Sequence, residues 1–339
     1  MSKNSIKWGI LGTSYISEVM ANAIQESDTS ELVAIGSRSL LTAKKFSEKY
    51  SIQKYYDDYQ ALLNDDGIDS IYIGLPNHLH KEWITRAALA GKHILCEKPF
   101  VISVDEAQEI ISIIKKSNVF CMEALMYRCH PFTKKLRKLV QSKIIGEIKL
   151  YTATYTANIA EIANPTAGGS IRNLGCYPIS LIRLLANAEP VEICAMGRMS
   201  QKNKIETDNQ ASVILKFLDN SMAVVSTADD MEMFWQFEIY GTEGNLKVIT
   251  NPWLPNCDNN RIVIYSNNEK NPIEINVKAE KSLYTYQIDT VSNHIMNKEY
   301  TQSRHDGIPL LDSLGNTIVL EAWLQQVKAK NIQPELMTA

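Results

Sequence analysis

Short apolar segments alternate with amphipathic helical patterns along roughly the first 120 residues, and this alternation constrains the fold more than any other feature. A repeated strand-helix-strand order produces a parallel sheet with helices on both faces. We therefore predict an α/β fold with a Rossmann-type doubly wound parallel sheet in a first domain, residues 1–124. Its strands are predicted at residues 6–11, 32–35, 70–73, 92–96 and 119–122, and its helices at 16–25, 43–49, 80–90 and 104–115.

The pattern changes after residue 124, where longer alternating segments are joined by short turns. Strands joined in this way form a mostly antiparallel sheet, so residues 125–339 are predicted to form an α+β domain with a large, open-faced sheet. Its strands are predicted at residues 147–157, 191–198, 211–218, 222–227 and 233–240, and its helices at 132–140, 170–186, 284–296 and 313–327. Apolar residues occupy both faces of the strand at 233–240. We expect a helix near Ser170 to cover one face and a second subunit to cover the other, in a homodimer or homotetramer.

Composition excludes several classes of protein. The 339 residues carry 35 Lys and Arg against 38 Asp and Glu, a net charge of -3, which argues against a nucleic-acid or anionic-membrane surface. Because no apolar run reaches the length of a membrane helix and the N-terminus lacks the pattern of a signal peptide, we expect a cytoplasmic protein. The six cysteines contain no C-x-x-C pair, so we expect neither a zinc site nor a disulfide framework.

The first strand leads into a short turn that resembles a dinucleotide fingerprint. Gly12 holds the first position of a G-x-G-x-x-G pattern, but Ser14 and Ser17 replace the other two glycines. By itself this motif suits a structural turn as well as a nucleotide site. If nucleotide binds here, the contacts are expected from the turn and the first helical residues, namely Gly12, Thr13, Ser14, Tyr15 and Ile16.

The end of the second strand indicates which nucleotide. NAD is commonly held by an acidic residue about 20 residues after the glycines, but the segment Gly36-Ser37-Arg38-Ser39 contains none. Arg38 can pair with a ribose 2'-phosphate, with hydrogen bonds from Ser37 and Ser39. We therefore expect NADP rather than NAD. An arginine that only stacks on adenine would suit either cofactor.

Two further segments follow predicted strands, where ligands bind in doubly wound sheets. They are Leu75-Pro76-Asn77-His78-Leu79-His80 and Cys96-Glu97-Lys98-Pro99. Pro99 restricts Lys98 to an extended conformation and makes a cis peptide bond possible, which would aim the ammonium group at a fixed point. A lysine in this place is hard to explain as a solvated surface charge.

With these residues the chain resembles the Gfo/Idh/MocA family of nicotinamide-dependent oxidoreductases essentially from end to end, including residues 91–99 and the Gly241-Thr242-Glu243-Gly244 turn. Residues 123–131 and 168–178 resemble the tyrosine branch of the family, which contains xylose dehydrogenase, dimeric dihydrodiol dehydrogenase and sugar ketoreductases. The resemblance implies that Lys98 and Tyr177 are catalytic, and that the Lys98 ammonium lowers the pKa of the phenol. Many relatives have Asp and His where this chain has Asn173 and Tyr177, so Asn173 is expected to bind a substrate hydroxyl.

The resemblance also implies a set of contacts at the carboxyl edge of the sheet. Arg128 is expected between the domains, where it contacts substrate or cofactor, and no metal is required. The remaining cofactor contacts are expected from Leu75, Pro76, Asn77, His80, Glu97 and Lys98. His80, His78 and His130 are expected to pack or cap locally rather than to catalyse a reaction.

The function predicted from the sequence is hydride transfer between a nicotinamide and a sugar or nucleotide-linked sugar. Two other classes remain open: a regulatory protein that senses NAD(P) without catalysis, and a glycosidase that keeps its nicotinamide tightly bound. The presence of both Lys98 and Tyr177 argues against a pure sensor. The residues do not identify the sugar or the carbon that is oxidised.

Overall fold

The computed structural model describes residues 5–202, 204–300 and 307–330. The chain divides into two compact units, of which the first contains Met1–His130 and Ala279–Leu314 and the second contains Pro131–Lys278 and Gly315–Ala339. We predicted a single boundary after residue 124. The return segment joins the first unit because its helix packs against the first helix and the first two strands, with a hydrogen bond from the Ser27 hydroxyl to the Asp289 carboxylate at 2.6 Å.

The first unit has the predicted parallel sheet, in the order β3-β2-β1-β4-β5-β6. Its strands are β1 (Ile6–Leu11), β2 (Ser30–Gly36), β3 (Lys54–Tyr56), β4 (Ser70–Ile73), β5 (His93–Glu97) and β6 (Cys121–Ala124). Its helices are α1 (Tyr15–Glu26), α2 (Leu40–Tyr50), α3 (Tyr59–Leu63), α4 (His80–Leu89), α5 (Val104–Ser117) and the returning α8 (Leu283–Met296). The strand order reverses between β1 and β4, which is where doubly wound sheets bind ligands.

The central strands of this sheet are buried because helices cover both faces. All four residues of β4 are buried, and α5 contributes Ala107, Ile110 and Ile114 to the same core. The sequence analysis missed β3 and α3. Each is short, and β3 is an edge strand of three largely exposed residues, so neither carries a strong hydrophobic period.

The second unit has an eight-stranded sheet, in the order β14-β13-β12-β11-β7-β10-β9-β8, in which only β7 and β10 pair in parallel. The mostly antiparallel prediction is confirmed. The strands are β7 (Ile148–Thr156), β8 (Glu192–Lys202), β9 (Ile205–Lys216), β10 (Met222–Ala228), β11 (Phe234–Gly241), β12 (Gly244–Val248), β13 (Asn260–Ser266) and β14 (Ile273–Val277). The helices are α6 (Pro131–Gln141), α7 (Cys176–Ala186) and α9 (Leu310–Lys330), which begins in the first unit.

One face of this sheet is buried and the other is open. Along β9 the buried residues Ala211, Val213 and Leu215 alternate with more exposed ones, among them Ile214. The segment that leads into α7 packs against β7, β9 and β10, so the predicted cover near Ser170 is present. Strands β12 to β14 were not predicted individually.

Candidate active site

The turn after β1 has the geometry that a nucleotide phosphate requires. Gly12 adopts φ +95°, and a Cβ there would lie 2.9 Å from the Gly74 backbone oxygen. Only glycine fits this combination without strain. The turn leads directly into α1, whose free N–H groups and positive dipole end favour an anion.

Serines replace the two missing glycines for local structural reasons. The Ser14 side chain is the N-cap of α1, where it accepts a hydrogen bond from the Ser17 backbone N–H at 3.4 Å. Ser17 is fully buried, and a Cβ on Gly74 would lie only 2.9 Å from its hydroxyl oxygen. The lack of a side chain at Gly74 therefore makes room for the Ser17 hydroxyl. The third glycine of the motif usually allows the helix to pack closely against the strand. Here Gly74 allows this close packing instead. Tyr15 is exposed, and Thr13 and Ile16 are partly exposed, beside this turn.

The side chain of Arg38, just after the end of β2, is exposed, and the segment Gly36-Ser37-Arg38-Ser39 contains no acidic residue. Ser37 is buried and its backbone N–H bonds the Tyr56 carbonyl oxygen at 3.0 Å, while the following Arg38 side chain is exposed. Burial raises the pKa of Tyr59, and the charge and hydrogen bond of Arg38 lower it, so the guanidinium lies beside this phenol. The Ser39 hydroxyl caps α2 by accepting from the Thr42 N–H at 3.4 Å, so this serine already has a structural role.

The turn after β5 holds Lys98 through the groups on either side of it. The Tyr72 hydroxyl donates to Glu97 Oε1 at 2.7 Å, and the Lys98 backbone N–H donates to Glu97 Oε2 at 3.2 Å. Burial raises the pKa of Glu97, and the Lys98 charge lowers it. The Lys98–Pro99 peptide bond is cis, the isomer that the sequence allowed. The backbone that carries Lys98 is therefore held by partly buried hydrogen bonds to Glu97.

His80, a predicted cofactor contact, supports this turn from within the first unit. Its side chain is fully buried, and its ring nitrogens lie 2.9 Å from the Pro99 and Leu75 carbonyl oxygens. Burial lowers the pKa of His80, while the backbone hydrogen bonds raise it. This histidine joins the segment after β4 to the segment after β5. Pro76 and Asn77 remain partly exposed at the start of a 3₁₀ turn.

Arg128 and Glu123 form a second layer behind the lysine turn. Arg128 lies on the 3₁₀ turn Met126–Cys129, its side chain is 3% exposed, and it forms an ion pair with Asp312 at 2.5 Å. We predicted that Arg128 contacts substrate or cofactor; the structure shows a guanidinium held by a carboxylate of its own unit. Glu123, which the sequence analysis did not select, accepts a hydrogen bond from the Phe100 N–H at 2.9 Å.

Tyr177 and Asn173 lie in the second unit. The chain forms a π-helix at Ile171–Gly175 and continues directly into α7. Single π-helical turns are rare in proteins, and those that occur often lie at functional sites. The Tyr177 side chain is 9% exposed, and its ring packs edge-on against Tyr155 with centroids 5.6 Å apart. The Asn173 N–H donates to the Gly169 carbonyl oxygen at 3.0 Å.

The described residues contain no group of three or more His, Cys, Asp or Glu side chains arranged to hold a metal ion. All six cysteines fall within them, and none of the six forms a disulfide. None of the helices in the described ranges is long and apolar enough to cross a membrane.

Comparison with known proteins shows the class of protein. Residues 6–125 match the family described as "Oxidoreductase family, NAD-binding Rossmann fold", and residues 133–247 match the "GFO/IDH/MocA C-terminal domain". The chain is 33% identical over 247 residues to D-xylose 1-dehydrogenase (NADP(+)) 2 of Haloferax volcanii, which covers 71% of this chain and 74% of that protein. It is 31% identical to trans-1,2-dihydrobenzene-1,2-diol dehydrogenase of Xenopus tropicalis, over 74% of this chain and 77% of the relative.

A 3-ketoreductase from Actinomadura kijaniata, solved with TDP-benzene and NADP, has the same fold, with a TM-score of 0.84, 23% identity and coverage of 96% of this chain and 97% of that chain. These matches define an NAD(P)-dependent oxidoreductase. The chain belongs to the Gfo/Idh/MocA family, as the motifs around Lys98 and Tyr177 predicted.

Proposed function

We propose that this protein uses NADP to transfer a hydride to or from a sugar or sugar-like CH–OH or C=O carbon. Support comes from relatives named for D-xylose and dihydrodiol oxidation with identities above 30%. The observation that carries the proposal is the lysine turn, because buried groups fix Lys98 at the carboxyl end of β5. A structural lysine would not need such a support.

The residues of the first unit fit this cofactor. Gly12 allows the tight turn at the N-terminus of α1, where a pyrophosphate would bind, because a Cβ there would lie 2.9 Å from the Gly74 backbone oxygen. Arg38 offers an exposed guanidinium for a 2'-phosphate, and no acid in its segment would repel that group. Pro76, Asn77 and Glu97 are assigned to the nicotinamide end. When bound, NADP supplies the hydride chemistry.

In the proposed mechanism two side chains act on the substrate oxygen. The Lys98 ammonium donates a hydrogen bond to this oxygen and stabilises negative charge on it. The Tyr177 hydroxyl gives or takes the proton, according to the direction of the reaction. Asn173 binds a neighbouring substrate hydroxyl. No metal ion is needed for this polarisation, because the ammonium provides it.

The test is turnover with NADP and NAD, in both directions, across aldoses and keto-sugars, followed by the absorbance of the reduced nicotinamide. Lys98→Met and Tyr177→Phe should each lower kcat by about 100-fold or more while the Kd of NADPH stays within about threefold. Tyr155→Phe is the matched control, since it removes a neighbouring phenol without touching the proposed proton transfer. Full turnover by both catalytic variants would refute the mechanism.

The same measurements separate the two other classes. A sensor would bind NADPH tightly and show no turnover with any sugar. A glycosidase with resident nicotinamide would release a reduced or oxidised nicotinamide when the purified protein is denatured, and would cleave glycosides without added NADP. Net oxidation of a sugar with stoichiometric NADPH formation excludes both.

We further propose that the open face of the second sheet binds a second copy of the chain. On this face Val224 of β10 pairs with Ile214 of β9, and both are more than one third exposed, as are Met196 and Met222. Exposed apolar residues on neighbouring strands favour association. Light scattering after size-exclusion chromatography should give the mass of a homodimer or homotetramer.

A further inference from the structure

A buried carboxylate holds the start of the segment that carries Tyr177. Asp208 lies on β9, and its side chain is almost completely buried. Its Oδ2 atom accepts hydrogen bonds from the Ser170 hydroxyl at 2.9 Å and from the Ile171 backbone N–H at 2.6 Å. The first N–H groups of a helix have no partner within the helix, so this carboxylate satisfies one of them.

The second glycine of the pair before this helix packs against the same carboxylate. Gly169 has φ +100°, and a Cβ at this position would collide with the Asp208 side chain. The Thr227 hydroxyl donates to the Ser170 carbonyl oxygen at 3.4 Å, and the Asn173 N–H donates to the Gly169 carbonyl oxygen at 3.0 Å. Two strands of the sheet therefore hold this turn, β9 through Asp208 and β10 through Thr227. These contacts fix the conformation of the Gly-Gly-Ser motif.

Burying the ionised carboxylate of Asp208 costs free energy. Burial raises the pKa of Asp208 to about 6, and its hydrogen bonds with Ile171 and Ser170, together with the Arg172 charge, lower it. A neutral asparagine could accept the same two hydrogen bonds without that cost. A carboxylate does so more strongly, since charged acceptors form shorter and stronger bonds. The extra strength is applied where the π-helix begins, at Ile171, two residues before Asn173 and six residues before Tyr177.

We propose that Asp208 is the positioning residue for Asn173 and Tyr177: by anchoring Ser170 and Ile171, its carboxylate sets the register of the π-helix and so the place of the Tyr177 hydroxyl. This inference rests on the proposed function, in which Tyr177 moves the proton. Asp208 acts through the helix and touches no substrate. Asp208 and the segment that it anchors belong to the second unit, whereas all the proposed cofactor contacts belong to the first, so its loss should alter turnover and leave cofactor affinity unchanged.

The test compares Asp208→Ala, Asp208→Asn and Ser170→Ala with the wild-type protein. Two readouts are used: kcat and the KM of NADP with the sugar that turns over, and amide hydrogen exchange of residues 170–177, which needs no substrate. Asp208→Ala should speed exchange of this segment and lower kcat by about 10- to 100-fold, as expected when a reacting group is misplaced by about 1 Å. The KM of NADP should stay within about twofold. Asp208→Asn should recover part of kcat, because its amide oxygen accepts the same bonds.

The control is Asp219→Asn, which removes a charge from the turn between β9 and β10, where Asp219 accepts hydrogen bonds from Ser221, far along the chain from the π-helix. It should leave kcat unchanged. If Asp208→Ala does not fold, Ser170→Ala, which removes a single hydrogen bond, decides the question with a loss of about threefold or more. Unchanged exchange, or faster exchange with wild-type kcat, would overturn the inference. If Tyr177→Phe retains full activity while Asp208→Ala loses it, the proposed role of Tyr177 fails and the anchoring of the helix stands.

Discussion

Glu123→Gln is expected to remove a pH dependence of stability that arises from one buried carboxyl. Glu123 is 1% exposed at the end of β6, and its Oε1 atom accepts the Phe100 N–H at 2.9 Å. The pKa of Glu123 is raised to about 7: burial is the main cause and the Asp312 charge adds to it, while hydrogen bonds with Ser313 and Phe100 and the Arg128 charge act in the opposite direction. Glutamine keeps the size of the side chain and an oxygen that accepts the Phe100 N–H, but it does not titrate.

The size of the effect follows from the two pKa values. Below pH 4.5 the carboxyl of Glu123 is protonated in the folded and unfolded chains, and above pH 7 it is ionised in both. Between these limits the folded chain binds more protons, so raising the pH favours unfolding. The gap from 4.5 to about 7 corresponds to roughly 3 kcal/mol at about 1.4 kcal/mol per pKa unit. The stability that Glu123 contributes is thus fully present below pH 4.5 and is lost as the pH rises to about 7.

The assay is amide hydrogen exchange in peptides that span β5 and β6, measured from pH 5 to 8 and corrected for the intrinsic exchange rate. The free energy of opening of the wild-type protein, minus that of Glu123→Gln, should fall by about 2 kcal/mol between pH 5 and pH 7. Asp65→Asn is the control in the same unit. The hydrogen bond from Lys54 lowers the pKa of Asp65 to about 2, so the corresponding difference should be flat over this pH range.

A flat difference for Glu123→Gln as well would refute the reasoning, since it would mean that the carboxyl is ionised in the folded chain at pH 5. This flat result is the one expected if the Arg128 charge outweighed burial and kept the folded-state pKa of Glu123 at or below 4.5.

Three further results are expected. Arg38→Ala should weaken NADPH binding by about 10-fold or more and NADH binding by less than about threefold, measured by fluorescence titration, with Lys45→Ala on α2 as the control; equal losses for both cofactors would remove the 2'-phosphate assignment. Gly12→Ala should weaken both cofactors, because φ +95° and a backbone oxygen 2.9 Å from the new Cβ oppose any side chain; wild-type affinity would show that the turn is not a phosphate site. Val224→Asp, paired with Ile214→Asp, should give a monomer in light scattering, because a charge on the open face resists burial; a retained dimer would place the interface elsewhere.

Much of the first unit could be predicted from its sequence because its strands and helices carry clear hydrophobic periods. The order of β1, α1 and β2 identified Gly12 and Arg38, and the structure places Gly12 in a positive-φ turn and Arg38 exposed at the end of β2. The return of α8 was not visible. It depends on side-chain hydrogen bonds between segments about 260 residues apart, such as that between Ser27 and Asp289, and a local pattern contains no signal for such a contact.

Residues that support the site were harder to predict than residues that present chemistry. Lys98 and Tyr177 stand in recognisable motifs, but Tyr72, His80 and Asp208 work by contacting backbone or carboxyl groups that are distant in sequence. One signal was available: Glu123 is an acid within an otherwise apolar strand, and such an acid must find a partner or change its protonation.

The same reasoning explains why two serines can stand where a dinucleotide motif has glycines. The motif requires space at two places, for the phosphate and for the contact between helix and strand, and it does not matter which residue leaves that space. Gly74, on the neighbouring strand connection, provides the room that Ser17 needs, since a Cβ on Gly74 would lie 2.9 Å from the Ser17 hydroxyl. A fingerprint confined to one turn therefore underestimates this site. Substituting Ser17 with glycine should change cofactor affinity little, whereas Gly74→Ala should weaken it by displacing α1.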